Sequence, residues 1–143
     1  MTHEETTART ISGLWSGRYW YQTTEVFLPD AVPFTAYIIE AGSSLVGRTL
    51  EPNTFVVEGE DELSADIIGT HDMGVVEFTK HYDPIADLED FEIAYAGEVN
   101  DELSFITGDW VIDDGEEIVR GGFELSRTSN ELLVRRANSA KAI

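Results

Sequence analysis

The chain has 143 residues, of which 42% are hydrophobic, so its length and composition indicate one folded domain and exclude a disordered chain. Its 28 acidic and 9 basic residues give a formal charge of −19, which repels phosphate and anionic lipid, so we expect neither a nucleic-acid partner nor a membrane partner. The chain contains no cysteine, which excludes disulfides and thiolate metal sites.

The acidic residues are spread along the whole chain, which favours solubility as the reason for the charge. Attraction of a cationic partner or a metal remains the alternative. No apolar run approaches the roughly 18 residues that span a bilayer. Residues 1–10 include two glutamates and no apolar segment of the kind that secretion signals contain, and this pattern predicts a cytoplasmic protein.

From residue 13 onward, apolar and polar residues alternate in short runs, each closed by a turn signal, as in half-buried β-strands. The sequence 71–74 reads as a tight hairpin turn, and 113–115 as another strong turn. Residues 55–57 could extend the third or the fourth strand. The predicted strands are 13–27, 34–41, 44–50, 63–70, 75–82, 91–99, 103–112 and 118–127.

Eight such strands in a row, with no helix-length segment between them, predict an all-β fold. Glycines recur inside the strands, where they allow sharp bends and close approach, and this favours a small barrel over a flat sandwich. The predicted fold is a single up-and-down antiparallel β-barrel of about eight strands. We expect a flexible N-terminus over 1–11, the barrel over 12–128, and a tail or short helix over 129–143.

Alternation also predicts which side chains point into the barrel. The predicted inward set is mostly aromatic, with several polar tips, and an unpaired polar group in a protein interior costs about 1–3 kcal/mol. These tips either satisfy one another or line a pocket for a small apolar or aromatic ligand, and the tyrosine content favours the pocket. The predicted ligand-binding residues are Tyr19, Tyr21, Lys80, Tyr82, Tyr95 and Trp110. For the second strand, neither face is clearly the inward one.

Gly13-Leu14-Trp15 opens the first strand, and Arg127 closes the last in the sequence FELSR. This pattern resembles the lipocalins and the wider calycin group, including the avidin-like barrels, in which G-x-W begins the barrel. The resemblance implies an eight-stranded barrel with a ligand cavity at its open end. It also implies that Trp15 and Arg127 are structural closure residues, with the basic side chain packed across the tryptophan. Unlike secreted lipocalins, this chain has no cysteine.

The three histidines do not predict a metal site. His71 lies beside Asp72 in a predicted turn, and His81 lies about one strand length away, roughly 20 Å, near Asp83. A protein site for zinc needs at least three converging ligands. We therefore expect no metal and no cofactor.

Two other classes of function remain open. One is acid–base catalysis on a small aromatic acid, as in small barrels resembling phenolic acid decarboxylases: the predicted tyrosines and Lys80 would hold the acid, and Glu40 would transfer the proton. The other is a structural or assembly module, such as a homo-oligomer, that uses an exposed apolar face on the outside of the barrel. The predicted members of that face are Leu14, Trp20, Tyr37, Ile39 and Val75.

Overall fold

A computed structural model describes residues 10–22, 31–54, 61–84, 92–113 and 115–129. They form a closed barrel of eight antiparallel strands, in which each strand pairs with the next and the eighth pairs with the first. The predicted all-β up-and-down barrel is confirmed. The strands are β1 (Gly13–Tyr21), β2 (Val32–Ala41), β3 (Ser44–Pro52), β4 (Glu62–Asp72), β5 (Val75–Tyr82), β6 (Glu92–Val99), β7 (Phe105–Asp113) and β8 (Ile118–Ser129).

Most strand ends lie within two residues of their predicted places, and β5 has the predicted bounds. The β7 strand begins later than expected because Leu103 lies in a turn at a φ of 58°. There the side-chain oxygen of Asn100 accepts hydrogen bonds from the backbone N–H groups of Ser104 (2.8 Å) and Phe105 (3.0 Å). The predicted continuations of the first strand to residue 27 and of a strand over 55–57 lie outside the described residues.

The described part of the N-terminal segment packs into the barrel. Ile11, assigned from the sequence to a flexible segment, is fully buried, because its side chain fills the barrel end next to Trp15. Its backbone N–H donates a hydrogen bond to Glu40 Oε1 at 2.9 Å. At the other terminus β8 extends through Ser129. Residues 1–9 and 130–143, which include most of the predicted tail, lie outside the described residues.

Alternate residues of every strand face the interior, and together they form one apolar core. In β2 the inward side chains are Phe34, Ala36 and Ile38, which resolves the face that the sequence left open. Leu14 was predicted to be exposed on the outer face, but only 8% of its surface is accessible, so this prediction was wrong.

The two ends of the barrel differ. At one end, here called the closed end, three hairpins join β2 to β3, β4 to β5 and β6 to β7, and Ile11 is buried beside them. The hairpin at Met73 and Gly74 has positive φ values of 51° and 79°, as a type I′ turn requires. At the opposite end, here called the open end, β1, β3, β5 and β7 finish. The connections that follow these four strands contain residues outside the described ranges.

Close strand approach explains one of the interior glycines. Gly97 on β6 is paired with Gly108 on β7. A Cβ atom on Gly108 would lie 2.0 Å from the carbonyl oxygen of Ala96, so the backbone there leaves no room for a side chain. Across the described ranges, no helix is long and apolar enough to cross a bilayer.

Candidate functional site

The barrel interior contains an ion pair. Lys80 lies two residues before the end of β5 and points inward, with 1% of its surface accessible, and Glu51 lies near the end of β3 with 2% accessible. The Lys80 ammonium donates a hydrogen bond to Glu51 Oε1. Two opposite charges therefore meet inside the barrel, below the open end.

Tyrosines saturate the carboxylate of that pair. The Tyr19 hydroxyl donates to Glu51 Oε2 at 2.6 Å. The Tyr82 hydroxyl lies 3.0 Å from both carboxylate oxygens. On the other side of the pair, the Lys80 ammonium lies 3.5 Å from the Tyr95 hydroxyl. Glu51 thus accepts hydrogen bonds from three side chains that come from two strands, Tyr19 on β1 and Lys80 and Tyr82 on β5.

Aromatic rings surround the Lys80 ammonium. Its nitrogen lies 4.9 Å from the ring centroid of Tyr82, 5.0 Å from that of Tyr19, 5.2 Å from that of Phe34 and 5.7 Å from that of Tyr95. A cation within about 6 Å of a ring centroid is attracted to the negative face of the ring. The charge that has lost its water is therefore held by one carboxylate and four rings.

Burial shifts the acid–base properties of the whole group. It lowers the pKa of the Lys80 ammonium below its ordinary value, and the nearby Glu51 carboxylate opposes that shift. Burial, reinforced by the same carboxylate, raises the pKa of Tyr19, Tyr82 and Tyr95 well above the ordinary value for tyrosine. These three hydroxyls therefore stay protonated and act as hydrogen-bond donors or dipoles in the folded protein.

A cavity of about 80 Å³ lies between this group and the open end. Drug-sized ligands occupy cavities of about 300–1,000 Å³, so this one is small and side chains fill most of the interior. Five of the six predicted ligand-binding residues line it, whereas Lys80 lies behind the rings of Tyr19, Tyr82 and Tyr95. The lining residues are Tyr19, Tyr21, Tyr82, Ile93, Tyr95, Trp110 and Ile112.

Two of these residues differ in what they can offer a ligand. The Trp110 indole N–H donates to the backbone oxygens of Gly122 (3.1 Å) and Trp20 (3.2 Å), so it is already occupied. The Tyr21 ring lies edge-on to Trp110 with centroids 5.2 Å apart. Its hydroxyl forms no hydrogen bond with any residue of the described ranges, so this group can offer a ligand a hydrogen-bond donor.

Arg127 and Trp15 meet at the closed end, where they are cross-strand partners on β8 and β1. The Arg127 guanidinium carbon lies 5.6 Å from the Trp15 ring centroid. The guanidinium also donates to the backbone oxygens of Leu103 (3.0 Å) and Ser12, and the Trp15 indole donates to that of Ile11 (2.9 Å). Burial lowers the pKa of Arg127. This group joins both ends of the barrel sequence and does not reach the cavity.

Glu40 was predicted to be the acid or base beside the tyrosines, and the structure contradicts this. It lies at the closed end of β2, where Oε1 accepts from the backbone of Ile11 and Oε2 lies 2.8 Å from His71 Nδ1. The carboxylate beside the tyrosines is Glu51. His81 is on the outer wall, 3.5 Å from Glu92, and within the described ranges no three His, Asp or Glu residues converge as metal ligands.

The outer wall carries two further features. A shallow concavity of about 760 Å³ runs across β4 to β8 over small residues such as Ala94 and Ala96. Ile39, Val46 and Ile68 are neighbours on three adjacent strands, and 49%, 46% and 63% of their surfaces are accessible. We call these three residues the outer apolar row. Of the predicted outer face, Ile39 and Val75 are exposed, and Trp20 and Tyr37 are half-buried.

The sequence matches no protein-family model, and comparison with curated proteins and with solved structures returned no similar chain.

Proposed function

We propose that this protein binds a small, neutral, apolar or aromatic molecule in the cavity at the open end of the barrel. The observation that supports this most is the Glu51–Lys80 pair with its tyrosines, directly beneath the cavity. A buried ion pair is often no more stable than apolar side chains of the same volume, so packing alone does not account for it. Polar groups that converge on an apolar pocket are typical of ligand sites.

The charges favour a neutral ligand. Glu51 already balances the charge of Lys80, and three hydroxyl or ammonium donors already occupy the carboxylate. Among the described residues that line the cavity, an anion would meet no cation, and it would also approach a surface of net charge −19. The polar end of the ligand would instead accept a hydrogen bond from Tyr21, and the aromatic rings would contact its apolar part.

The volume limits the size of the ligand. An apolar cavity of about 150 Å³ engineered in another protein binds benzene or xenon, and the present cavity is about half that size. Xenon or a molecule of a few heavy atoms fits the cavity as it stands. A full aromatic ring requires the half-exposed Tyr21 ring to turn outward. This proposal agrees with the cavity that the calycin resemblance of Gly13-Leu14-Trp15 and Arg127 implies.

Xenon and benzene are suitable probes, followed by methyl NMR of isoleucine-labelled protein. We expect saturable shifts at Ile93 and Ile112, which line the cavity, and none at Ile38 in the core near the closed end. The substitution Ile112→Phe should fill the cavity and abolish the shifts. The matched control is Ile68→Phe on the outer wall, which should leave them unchanged. Shifts of equal size at Ile38, or no shift with either probe, would contradict the proposal.

A second candidate function is self-assembly through the outer apolar row. Three exposed aliphatic side chains on adjacent strands form a continuous apolar strip, and such strips often mark interfaces. Two copies with a charge of −19 each repel one another, so salt should strengthen the association. Light scattering should then show a dimer that grows with salt and is lost in Ile68→Lys. The control is Ile118→Lys, an exposed site on β8, and a monomer at every salt concentration would refute this candidate.

A further inference from the structure

We infer that Lys80 captures small neutral aldehydes as a protonated imine. This inference rests on the proposed function, since the aldehyde must first enter the cavity. It adds a covalent step to the binding and names the class of ligand.

The position of the amine supports the inference. The Lys80 ammonium contacts the rings of three residues that also line the cavity, Tyr19, Tyr82 and Tyr95. One layer of rings therefore separates the ammonium from the cavity. A lysine desolvated in an apolar pocket loses its proton more readily and becomes a nucleophile. The rings must move before a molecule reaches the nitrogen, and we expect the desolvated amine then to react faster than a hydrated lysine does.

Glu51 is placed to handle the protons. It takes one proton from the Lys80 ammonium. The free amine then attacks the carbonyl carbon, and one of its two protons passes to the carbonyl oxygen to give a neutral carbinolamine. The protonated Glu51 returns its proton to the carbinolamine oxygen, which leaves as water while the C=N bond forms. The sum is one ammonium plus one aldehyde giving one protonated imine plus one water, with no oxidant or reductant.

The charge of the cluster is the same before and after this reaction. The protonated imine carries the single positive charge that the ammonium carried, Glu51 remains its counter-ion, and the four rings still face a cation. No new charge is buried, so the reaction adds no desolvation penalty. A carboxylate-bearing aldehyde would add an unpaired charge, and this restricts the ligand to neutral aldehydes.

Propanal with cyanoborohydride provides a direct test, because the reductant converts the imine to a stable secondary amine. The chain has only two lysines, Lys80 and Lys141, so peptide mapping separates the candidate from an internal control. The measured quantity is the labelling rate of Lys80 divided by that of Lys141. We expect this ratio to be at least about ten times higher in the folded protein than in urea-unfolded protein. Lys80→Arg should remove that label and Lys141→Arg should preserve it. Glu51→Gln should slow it.

Labelling confined to Lys141 and the N-terminus, or labelling of Lys80 that is no faster in the folded state, would overturn the inference. If a variant fails to fold, peptide mapping of the labelled chain without substitutions still shows whether Lys80 has reacted. Propan-1-ol, which has the size of propanal and no carbonyl, separates this result from the proposed function. Methyl shifts at Ile93 and Ile112 with propan-1-ol but no trapped propanal would refute imine formation and leave the binding site intact. Absence of both would refute both.

Discussion

At Glu51 and Lys80 two opposite charges depend on each other, because neither can be hydrated in the folded protein. Removing one partner from a buried pair leaves an unpaired charge and costs about 3–5 kcal/mol, whereas replacing both with apolar residues is often neutral. We expect Lys80→Met and Glu51→Leu each to lower the free energy of unfolding by about that amount. The double variant should lose much less than the sum, as measured by urea denaturation.

The exposed pair Arg18 and Glu124 serves as the control for this cycle, with a nitrogen–oxygen distance of 3.1 Å on the outer wall. Surface pairs of this kind couple by less than about 1 kcal/mol. A double variant of Glu51 and Lys80 whose loss equals the sum of the single losses would show that the two charges do not interact as the structure indicates.

The tyrosine hydroxyls predict a loss of stability in alkali. Tyr19, Tyr82 and Tyr95 have pKa values well above 10.0 when folded and close to that value when unfolded. Their contribution is complete below pH 10.0 and declines above it, since only the unfolded chain then releases protons. In the unfolded chain these three hydroxyls ionise around pH 10, so the slope grows from there and approaches about 4 kcal/mol per pH unit near pH 11.

Denaturation curves between pH 8 and pH 11 would measure this slope. Tyr82→Phe should reduce it by about one third. The lowered pKa of Lys80 acts in the opposite direction, raising stability as the pH approaches 10.5 from below. A flat profile above pH 10 would mean that these hydroxyls ionise as easily in the folded protein as in the unfolded chain.

The sequence did not indicate Glu51, although a signal was present. The following Pro52 marks a strand end, and a glutamate in such a place is usually exposed. Yet Glu51 is in phase with Leu45 and Thr49, which also face inward on β3. The alternation was readable, but the sequence could not show that Lys80 lies opposite and offsets the burial of a charge.

At the scale of strands, the sequence predicted most where a clean alternation ends at a strong turn. The β5 strand has a clean alternation and is bounded by strong turn signals, and its predicted bounds and inward face agree with the structure. In β2 both faces carry apolar residues, because Tyr37 and Ile39 lie on the outer wall. Period-two alternation cannot choose a face in that case, and only packing against β1 and β3 does so.

At the closed end, Arg127 on β8 joins β1, the turn before β7 and the N-terminal segment, which predicts a structural role separate from binding. We expect Arg127→Ala to lower the free energy of unfolding by about 1–3 kcal/mol, because it removes a cation–π contact and two hydrogen bonds. Xenon binding, followed by the methyl shifts of Ile112, should not change. Calorimetric unfolding provides the stability measurement.

The Arg127→Lys variant separates the contribution of the cation–π contact from that of the two hydrogen bonds. A lysine keeps the charge over Trp15 but not the two-pronged contact with the backbone oxygens of Leu103 and Ser12, so it should recover only part of the loss. Arg18→Ala on the outer wall is the control and should cost less than about 1 kcal/mol. An Arg127→Ala variant as stable as the unmodified protein would contradict the closure role.

For the whole molecule, the net charge of −19 predicts a strong response to salt. The acids repel one another more in the compact barrel than in the unfolded chain, and salt screens that repulsion. We expect the unfolding temperature to rise when the sodium chloride concentration is increased from about 0.01 M to about 0.5 M. The control is sucrose, which raises the osmolarity of the solution but leaves its ionic strength unchanged. A fall in unfolding temperature would mean that attractive pairs, such as Arg48 with Asp83, outweigh the repulsion.

The circular strand order has a kinetic consequence. Seven of the eight pairings join strands that are consecutive in the chain, and only the seam between β1 and β8 joins its distant parts. Closing a loop on the order of a hundred residues costs about 4 kcal/mol of entropy, so the seam should form last. Leu14 and Ser129 are cross-strand partners there. A circular permutant that links β8 to β1 and opens the chain at the Gly42 turn would make this seam local and would leave β2 and β3 as the distant pair, so that pairing should then form last.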